Sequence, residues 1–280
     1  MKTTSLSDAR IWTRLQPVLT TVLVGTVIGI PLWLVVATAA KSQAEALTPN
    51  LSLPHHWRLL ANLGEVWNEG RIPAAFFGSL VIVVPAVGGV LILGSMAAWV
   101  LARRASRLNA VLYALAISGI ILPPAVVTLV LLLRQIGLDG KPIGMMGVYM
   151  GIYMSTVIFF VTGFVRTIPT SLEEAAQIDG AGPIRVFVRV VLPLLRPVLA
   201  TATILVCLYA WNDVFYAFFI VGGRLDTLPL NLFRVASAGL YLNNWHLIFA
   251  YVILMSLPLI VLFAFAQRKI ISGITSGAVK

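Results

Sequence analysis

The chain has 280 residues, of which 59% are hydrophobic and only 11% are charged, and its mean hydropathy is +0.96. Soluble domains usually carry about 25% charged residues, so the composition excludes an ordinary soluble enzyme and a disordered tail, and the one cysteine excludes an intrachain disulfide. The net charge of +10 would suggest nucleic-acid binding in a soluble protein, but in a membrane protein the position of the charges matters more than their sum.

Six segments without Lys, Arg, Asp or Glu follow one another along the chain and predict six transmembrane helices. About 20 apolar residues cross the hydrocarbon layer as a helix, and lipid offers the backbone no hydrogen-bond partners outside that helix. We therefore expect an all-α membrane protein. In the third segment, Pro123 and Pro124 fit either a kinked helix or a short break after which a new helix starts. The six segments are residues 15–40, 72–102, 108–133, 142–165, 197–212 and 235–267.

The basic residues lie mainly on one side of this arrangement. With the N-terminus in the cytoplasm, the inside segments hold 13 of the 20 Lys and Arg residues, and the outside segments hold seven. Cytoplasmic loops carry such an excess, so both termini are expected in the cytoplasm, and the charge needs no nucleic-acid partner. The first apolar run is longer than the apolar core of a secretory signal, which has about 7–15 residues. We therefore expect an uncleaved first helix.

The longest inside loop, residues 166–196, has a pattern of its own. Thr170 and Ser171 each precede a glutamate by three residues, which fits a capping box at the start of a helix. The segment 172–179 is then predicted to form a short helix, because Gly180 is a natural stop signal after it. The pattern predicts a small, separately folded helix at the cytoplasmic surface.

The second half of the loop is expected to form another short helix. Pro183 can occupy its first turn, and Pro193 and Pro197 are expected to end it before the fifth span. Small and apolar side chains on the two helices suit docking to a cytosolic partner, although an interfacial connector without any partner would show the same composition. These side chains are Leu172, Ala175, Ala176, Ile178, Ile184 and Phe187.

Asp213 is the one carboxylate expected within a span, and an ionisable group in a membrane is a candidate functional residue. Aromatic faces can stack on sugar C–H surfaces while amide and carboxylate groups bond hydroxyls, so the candidate substrate pathway consists of Trp211, Asn212, Asp213, Tyr216 and Phe219. The alternative is structural: Asn212 and Asp213 bond neighbouring helices or cap a helix break, and the aromatic residues form an interfacial belt.

The sequence contains no recognisable catalytic or metal-binding motif. It has no phosphate-binding loop of the Gly-x-x-x-x-Gly-Lys-Ser/Thr type, no His-Glu-x-x-His and no Gly-x-Ser-x-Gly. His55 and His56 are adjacent in an outside loop and are expected to be solvated, not metal ligands. We therefore expect no enzymatic activity, no metal site and no cofactor bound by this chain.

Two motifs make the chain similar to a known family. Glu174-Ala175-Ala176-x-x-Asp179-Gly180-Ala181, followed by Leu192-Pro193, resembles the EAA loop of ATP-binding-cassette (ABC) importer permeases. Trp211-Asn212-Asp213 and the tail from Gln267-Arg268 through Gly273 and Gly277 to Lys280 resemble the maltose-type carbohydrate permeases. Weaker matches are Ala97–Arg103 and Ile136-Gly137-Leu138. One departure is Gly78-Ser79, where relatives often have Asn-Ser.

The resemblance implies one subunit of a heteromeric type I ABC importer in the cytoplasmic membrane. A second, different permease would complete the pathway, two copies of a cytosolic ATPase would hold ATP and Mg, and an extracytoplasmic binding protein would deliver a sugar. There are two alternatives: the chain imports a non-sugar solute such as a polyol phosphate, or it acts as a membrane scaffold. The residues expected to couple to the ATPase are Glu173, Glu174, Ala175, Ala176, Asp179, Gly180 and Ala181.

The resemblance also divides the chain into three parts. Residues 1–71 would hold the N-terminal segment, the first span and an extracytoplasmic loop, and residues 72–268 the core permease domain with the EAA loop. Residues 269–280 would form a cytoplasmic tail. Composition alone predicts that this tail is too weak a helix former to be stable by itself, whereas the resemblance implies that Gly273, Gly277 and Lys280 contact the ATPases.

Overall fold

The computed structural model describes residues 6–122, 124–237 and 243–278, and within these ranges every regular element is a helix. This confirms the all-α prediction. Two of the segments are π-helical, Gly25–Gly29 and Phe187–Val191. The α-helices are α1 Leu6–Val24, α2 Ile30–Ala39, α3 Leu59–Glu69, α4 Ile72–Arg103, α5 Arg107–Ser118, α6 Val126–Gln135, α7 Pro142–Val165, α8 Ser171–Ile178, α9 Pro183–Val186, α10 Leu192–Leu194, α11 Arg196–Trp211, α12 Phe215–Ile220, α13 Leu228–Ser237 and α14 Trp245–Ala278.

Among the described residues, four helices are long and apolar enough to cross a membrane. A fifth span results if Pro183–Leu194 and Arg196–Trp211 are taken together, although they meet at a bend of 77°. The predicted count of six is therefore not confirmed by helix length. The four long spans are Leu15–Ala39, Ile72–Arg103, Pro142–Val165 and Trp245–Phe265.

The third predicted span is divided into two helices, α5 and α6, which are 12 and 10 residues long. Pro124 lies between them and cannot donate a backbone hydrogen bond, and Ala125 has an extended backbone with φ −77° and ψ 95°. Of the two alternatives, the structure therefore has the break and not the kink. At the start of α5, Ser106 caps the helix: its side chain accepts a hydrogen bond from the Asn109 main-chain amide.

Contacts within the chain divide it into two compact units. The first unit contains the chain up to Ile72 together with Arg234–Met255. In it, the fully buried Lys41 donates from Nζ to the main-chain and side-chain oxygens of Asn50. The Asn62 amide donates to the carbonyls of Ala39 and Lys41, which holds α3 against the end of α2.

The second unit contains Pro73–Phe233 and the chain from Ser256 onward. Within it α7 packs against α5 and α11. Near the start of α4, the buried Ser79 hydroxyl accepts a hydrogen bond from the Leu228 amide at 2.9 Å. The neighbouring Gly78 lies directly against the Asp226 carbonyl oxygen, where a Cβ would collide. The departure from Asn-Ser therefore has a packing reason: at this position only glycine fits the observed approach of the two segments.

The C-terminal part of the chain is more regular than its composition predicts. Helix α14 continues through Gly273 and Gly277 to Ala278, so these residues are helical as the extension of a longer helix, and their weakness as a separate helix stays a prediction. The helix is already nucleated by the long apolar span before it, and propagation costs less than nucleation. Lys280 lies outside the described residues. The division into 1–71, 72–268 and 269–280 stays a prediction.

Candidate functional site

Helix α8 ends in the way that its sequence predicts. Gly180 has φ +80°, its amide donates to the Gln177 carbonyl, and the Ala181 amide reaches back to the Ala176 carbonyl at 2.9 Å. These two bonds form a Schellman motif, which requires a residue with positive φ and therefore favours glycine. The predicted stop at Gly180 is confirmed.

The start of α8 differs from the prediction. Thr170 makes no side-chain capping bond, and Glu173 is turned away from the backbone and buried. Its Oε1 accepts from Nε of Arg103 at 2.9 Å, and its Oε2 accepts from the indole N–H of Trp99 at 2.9 Å. The capping box over Thr170 and Glu173 is therefore wrong, because charge-assisted bonds to a cation replace a weaker bond to a main-chain amide.

The residues expected to couple to an ATPase divide into three groups by exposure. Glu173 is buried inside the chain, whereas Ala176 and Ala181 are half-buried, and the others are exposed. Two large apolar side chains close to them in sequence are exposed as well: Ile178 is 86% and Ile184 is 75% exposed. The exposed members of the predicted set are Glu174, Ala175, Asp179 and Gly180.

The second half of the 166–196 loop does not end where the prolines suggested. Pro183 begins α9 as expected, but helical backbone continues through the π segment and Pro193 to Leu194. The 77° bend comes at Leu195, immediately before α11. Pro193 lies inside this continuous helical stretch, two residues after the end of the π segment. Pro193 therefore does not end the helix, although Pro197 does occupy the first turn of α11.

Asp213 does not lie inside a continuous span. Helix α11 ends at Trp211, and α12 begins at Phe215. The Asp213 carboxylate accepts hydrogen bonds from the main-chain amides of Tyr216 at 3.2 Å and Ala217 at 3.0 Å. The structural alternative, a cap on a helix break, is therefore what the geometry shows. The first four main-chain amides of a helix have no partner within it, and Asp213, just before the first turn, accepts from two of them.

A group of tyrosines surrounds this break, which we call the Asp213 cluster: Tyr149, Tyr153, Tyr209, Asp213 and Tyr216. The buried Tyr149 donates its hydroxyl to Asp213 Oδ2 at 2.9 Å. The ring of Tyr153 stacks on that of Tyr209 with centroids 6.1 Å apart and an interplanar angle of 13°. Tyr209 is 55% exposed. The cluster therefore extends from the buried Tyr149, through the half-buried Asp213, to an exposed aromatic ring.

The other predicted pathway residues have different environments. Trp211 is buried, and its ring contacts Phe76 at 6.0 Å. Asn212 is exposed, with its side-chain amide donating back to the Leu208 carbonyl. Phe219 is exposed, whereas Tyr216 is half-buried. The structure thus brings all five residues to the helix break but leaves only Asn212 and Phe219 largely open.

Sequence reasoning missed Trp99, Arg103, Tyr149, Tyr153 and Tyr209. Trp99 and Arg103 lie in the Ala97–Arg103 match, but nothing near them in sequence indicates Glu173 as their partner. Tyr149 and Tyr153 are spaced by four residues in an otherwise apolar helix and therefore share one face. That spacing is the feature of the sequence from which this pair of tyrosines could have been predicted. Among the described residues, no group of three or more His, Cys, Asp or Glu side chains could hold a metal ion.

Comparison with known proteins identifies relatives over most of the chain. Residues 90–276 match the family described as the binding-protein-dependent transport system inner membrane component. The melibiose/raffinose/stachyose import permease protein MelC of Bacillus subtilis (strain 168) is 37% identical over 226 residues, which cover 78% of this chain and 80% of MelC. The diacetylchitobiose uptake system permease protein NgcG of Streptomyces coelicolor is 30% identical over 264 residues, covering 91% and 85%.

A solved structure shares the fold. It belongs to a bacterial ABC transporter involved in the import of the acidic polysaccharide alginate, and the superposition has a TM-score of 0.78. The superposition covers 96% of this chain and 99% of the chain in the solved structure, at 21% sequence identity. At that identity the similarity shows the fold alone.

Proposed function

The chain belongs to the family of binding-protein-dependent transport system inner membrane components, and from this premise we propose that it is the membrane-spanning permease subunit of an ATP-driven ABC importer for a sugar. It lies in the cytoplasmic membrane as a multi-pass protein with both termini in the cytoplasm. Relatives named for melibiose, raffinose and stachyose import and for diacetylchitobiose uptake support a mono-, di- or oligosaccharide as substrate.

The observation that carries this proposal is the geometry of α8. A short helix with exposed apolar and small residues on one side is bonded firmly to the rest of the chain on the other. Such a helix suits docking into a groove of a partner. On this proposal two copies of a cytosolic ATPase hold ATP and Mg, and the chain itself catalyses no reaction and binds no cofactor.

The Asp213 cluster supports a polar pathway near the outer half of the membrane domain. Both carboxylate oxygens of Asp213 already accept hydrogen bonds, and Trp211 is buried, so these two residues hold the helix break in place. Asn212, Tyr216 and Phe219 are the members that contact the substrate, because an amide, a phenol and an exposed ring suit hydroxyls and C–H faces. A second, different permease supplies the facing half, and an extracytoplasmic binding protein delivers the sugar.

The end of α14 is proposed as a further contact with the ATPases. Gly273 and Gly277 are four residues apart and share one helix face, where small residues permit close approach. Removal of residues 273–280 should lower co-purification of the ATPase and substrate-stimulated hydrolysis. Unchanged assembly and stimulation would exclude this contact and leave the role of α8 untouched.

Substrate-stimulated ATP hydrolysis tests the proposed function. The chain is co-expressed with its partner permease and ATPase, reconstituted in lipid nanodiscs, and supplied with its binding protein and a panel of sugars. We expect one or more sugars of the melibiose or raffinose type to increase hydrolysis. Stimulation only by a polyol phosphate or another non-sugar solute would contradict the sugar class. Assembly without stimulation by any solute would favour the scaffold.

A further inference from the structure

The cytoplasmic end of α4 holds α8 through a compact polar network. Two nitrogens of Arg103 contact the same oxygen of Glu173: the distance to Oε1 is 2.9 Å from Nε and 2.8 Å from Nη2. The same Nη2 donates to the Ile168 carbonyl at 2.8 Å. Trp99 donates to the second Glu173 oxygen. The donors Arg103 and Trp99 therefore both find their acceptors, the Glu173 carboxylate and the Ile168 carbonyl, within this chain.

A second contact joins α4 to the segment after α8. The indole ring of Trp99 packs against the buried Phe187, with centroids 5.6 Å apart. Trp99 thus contacts α8 through its N–H and the π-helical segment through its ring. We name the set Trp99, Arg103, Glu173, Phe187 and the Ile168 carbonyl the α4–α8 clamp.

We propose that the α4–α8 clamp transmits movement of α8 to α4, so that Trp99, Arg103 and Glu173 are positioning residues for energy coupling. This rests on the proposed function, since α8 is taken to be the ATPase-docking helix. Covalently, α8 is joined to α7 and α9 by short connections. One of them contains Gly180 and Gly182, whose lack of side chains makes it compliant. The clamp supplies the stiff connection that the chain itself lacks.

Polar contacts, not close packing, provide this stiffness. A cavity of about 480 Å³ lies beside the clamp, lined by Trp99, Arg103, Arg104 and Glu173 among others. The side chains of Arg103 and Glu173 are nevertheless only 16% and 7% exposed. In such a shielded site an ion pair is screened far less than at the surface. The ion pair is therefore the principal attachment of α8 to α4.

The test uses the complete complex in nanodiscs and three variants. Glu173→Gln keeps an acceptor for Trp99 but removes the charge, and Arg103→Met keeps a long apolar stem but removes the donors. The third variant combines both changes. Arg104→Gln is the matched control, because it removes a neighbouring charge from an exposed side chain outside the clamp. Two quantities are measured: solute imported per ATP hydrolysed, and hydrogen exchange of the α8 main-chain amides without substrate.

Glu173→Gln should lower import per ATP about tenfold, the size of one charge-assisted hydrogen bond, and should accelerate exchange in α8 by a similar factor. The double variant should regain thermal stability relative to Glu173→Gln, because no unpaired buried charge remains. Its import per ATP should stay low, since the connection is still absent. Arg104→Gln should leave both quantities at the wild-type level.

Several results would contradict the proposal that the α4–α8 clamp transmits movement. Wild-type import per ATP in Glu173→Gln would do so, and so would a double variant that regains both stability and import, because the pair would then be merely structural. Loss of ATPase co-purification with unchanged exchange in α8 would instead make Glu173 a docking residue. If the wild-type complex is not stimulated by any solute, the proposed function fails, whereas the exchange measurement still decides whether the clamp holds α8.

Discussion

Replacing Asp213 by asparagine tests whether its carboxylate holds the break between α11 and α12. Oδ2 accepts two hydrogen bonds, from the Tyr149 hydroxyl at 2.9 Å and the Ala217 amide at 3.0 Å, and Oδ1 accepts one from Tyr216. Asparagine has the same shape but only one oxygen. Its NH2 group would face either the two donors on Oδ2 or the one on Oδ1. At least one donor therefore loses its acceptor and meets a second donor.

The magnitude follows from the number of bonds lost. A hydrogen bond to a charged group contributes about 1.5–3 kcal/mol, and loss of a helix cap costs about 0.5–2 kcal/mol. Asp213→Asn should therefore lower the free energy of unfolding by about 3 kcal/mol. Tyr149→Phe removes one bond and should cost about half as much. At roughly 2–4 °C per kcal/mol, the expected fall in Tm is about 6–12 °C for Asp213→Asn.

The assay is thermal unfolding of the purified complex, with all variants in the same detergent and lipid. Asp213→Ala removes all three bonds, so combining it with Tyr149→Phe should give a variant only slightly less stable than Asp213→Ala alone, because both changes remove the same Tyr149–Asp213 bond. A Tm for Asp213→Asn within measurement error of wild type would refute the reasoning. Strict additivity of the two changes would show that the two side chains are not bonded.

Three further changes test other parts of the chain. Gly180→Ala places a Cβ at φ +80°, which costs about 1–2 kcal/mol, so co-purification of the ATPase should fall. Gly180→Asn should lower co-purification less, because asparagine tolerates positive φ better. Equal losses in the two variants would contradict the Schellman motif as the reason for glycine. Gly78→Ala should lower the Tm because of its main-chain neighbour, while Gly88→Ala, which has open space, should not; a harmless Gly78→Ala would disprove that close approach. A cysteine at Ser106 should resist an impermeant thiol reagent in intact cells and one at Asn50 should react, and reversed labelling would contradict the orientation.

Features governed by neighbours in sequence could be predicted well. The end of α8 depends on a glycine after a short helix, so the stop at Gly180 needed only local information. The apolar segments likewise identified the helices α4 and α7, because membrane spans depend on composition over about 20 residues. In the third segment local information does not decide, since consecutive prolines permit either a kink or a break.

Features governed by distant partners could not be predicted. Glu173 satisfied the local rule for a capping box, yet its partners Trp99 and Arg103 precede it by about 70 residues. A sequence pattern cannot rank a distant cation against a nearby main-chain amide. For Asp213 the sequence left the cap of a helix break as one of two alternatives, which the amides of Tyr216 and Ala217 realise. The additional bond from the Tyr149 hydroxyl, on another helix, could not be predicted.

Helix α4 makes one contact near each of its ends, and Pro85 lies between the two. At one end Arg103 is bonded to α8, and at the other Ser79 and Gly78 hold the segment that contains Asp226 and Leu228. Some 25 residues separate the ends, or about 38 Å of helix. If α8 moves as we propose, α4 carries part of that displacement to the segment 226–228, because a helix resists compression far better than a loop does. A bulky side chain at position 78 should then change how far that segment moves.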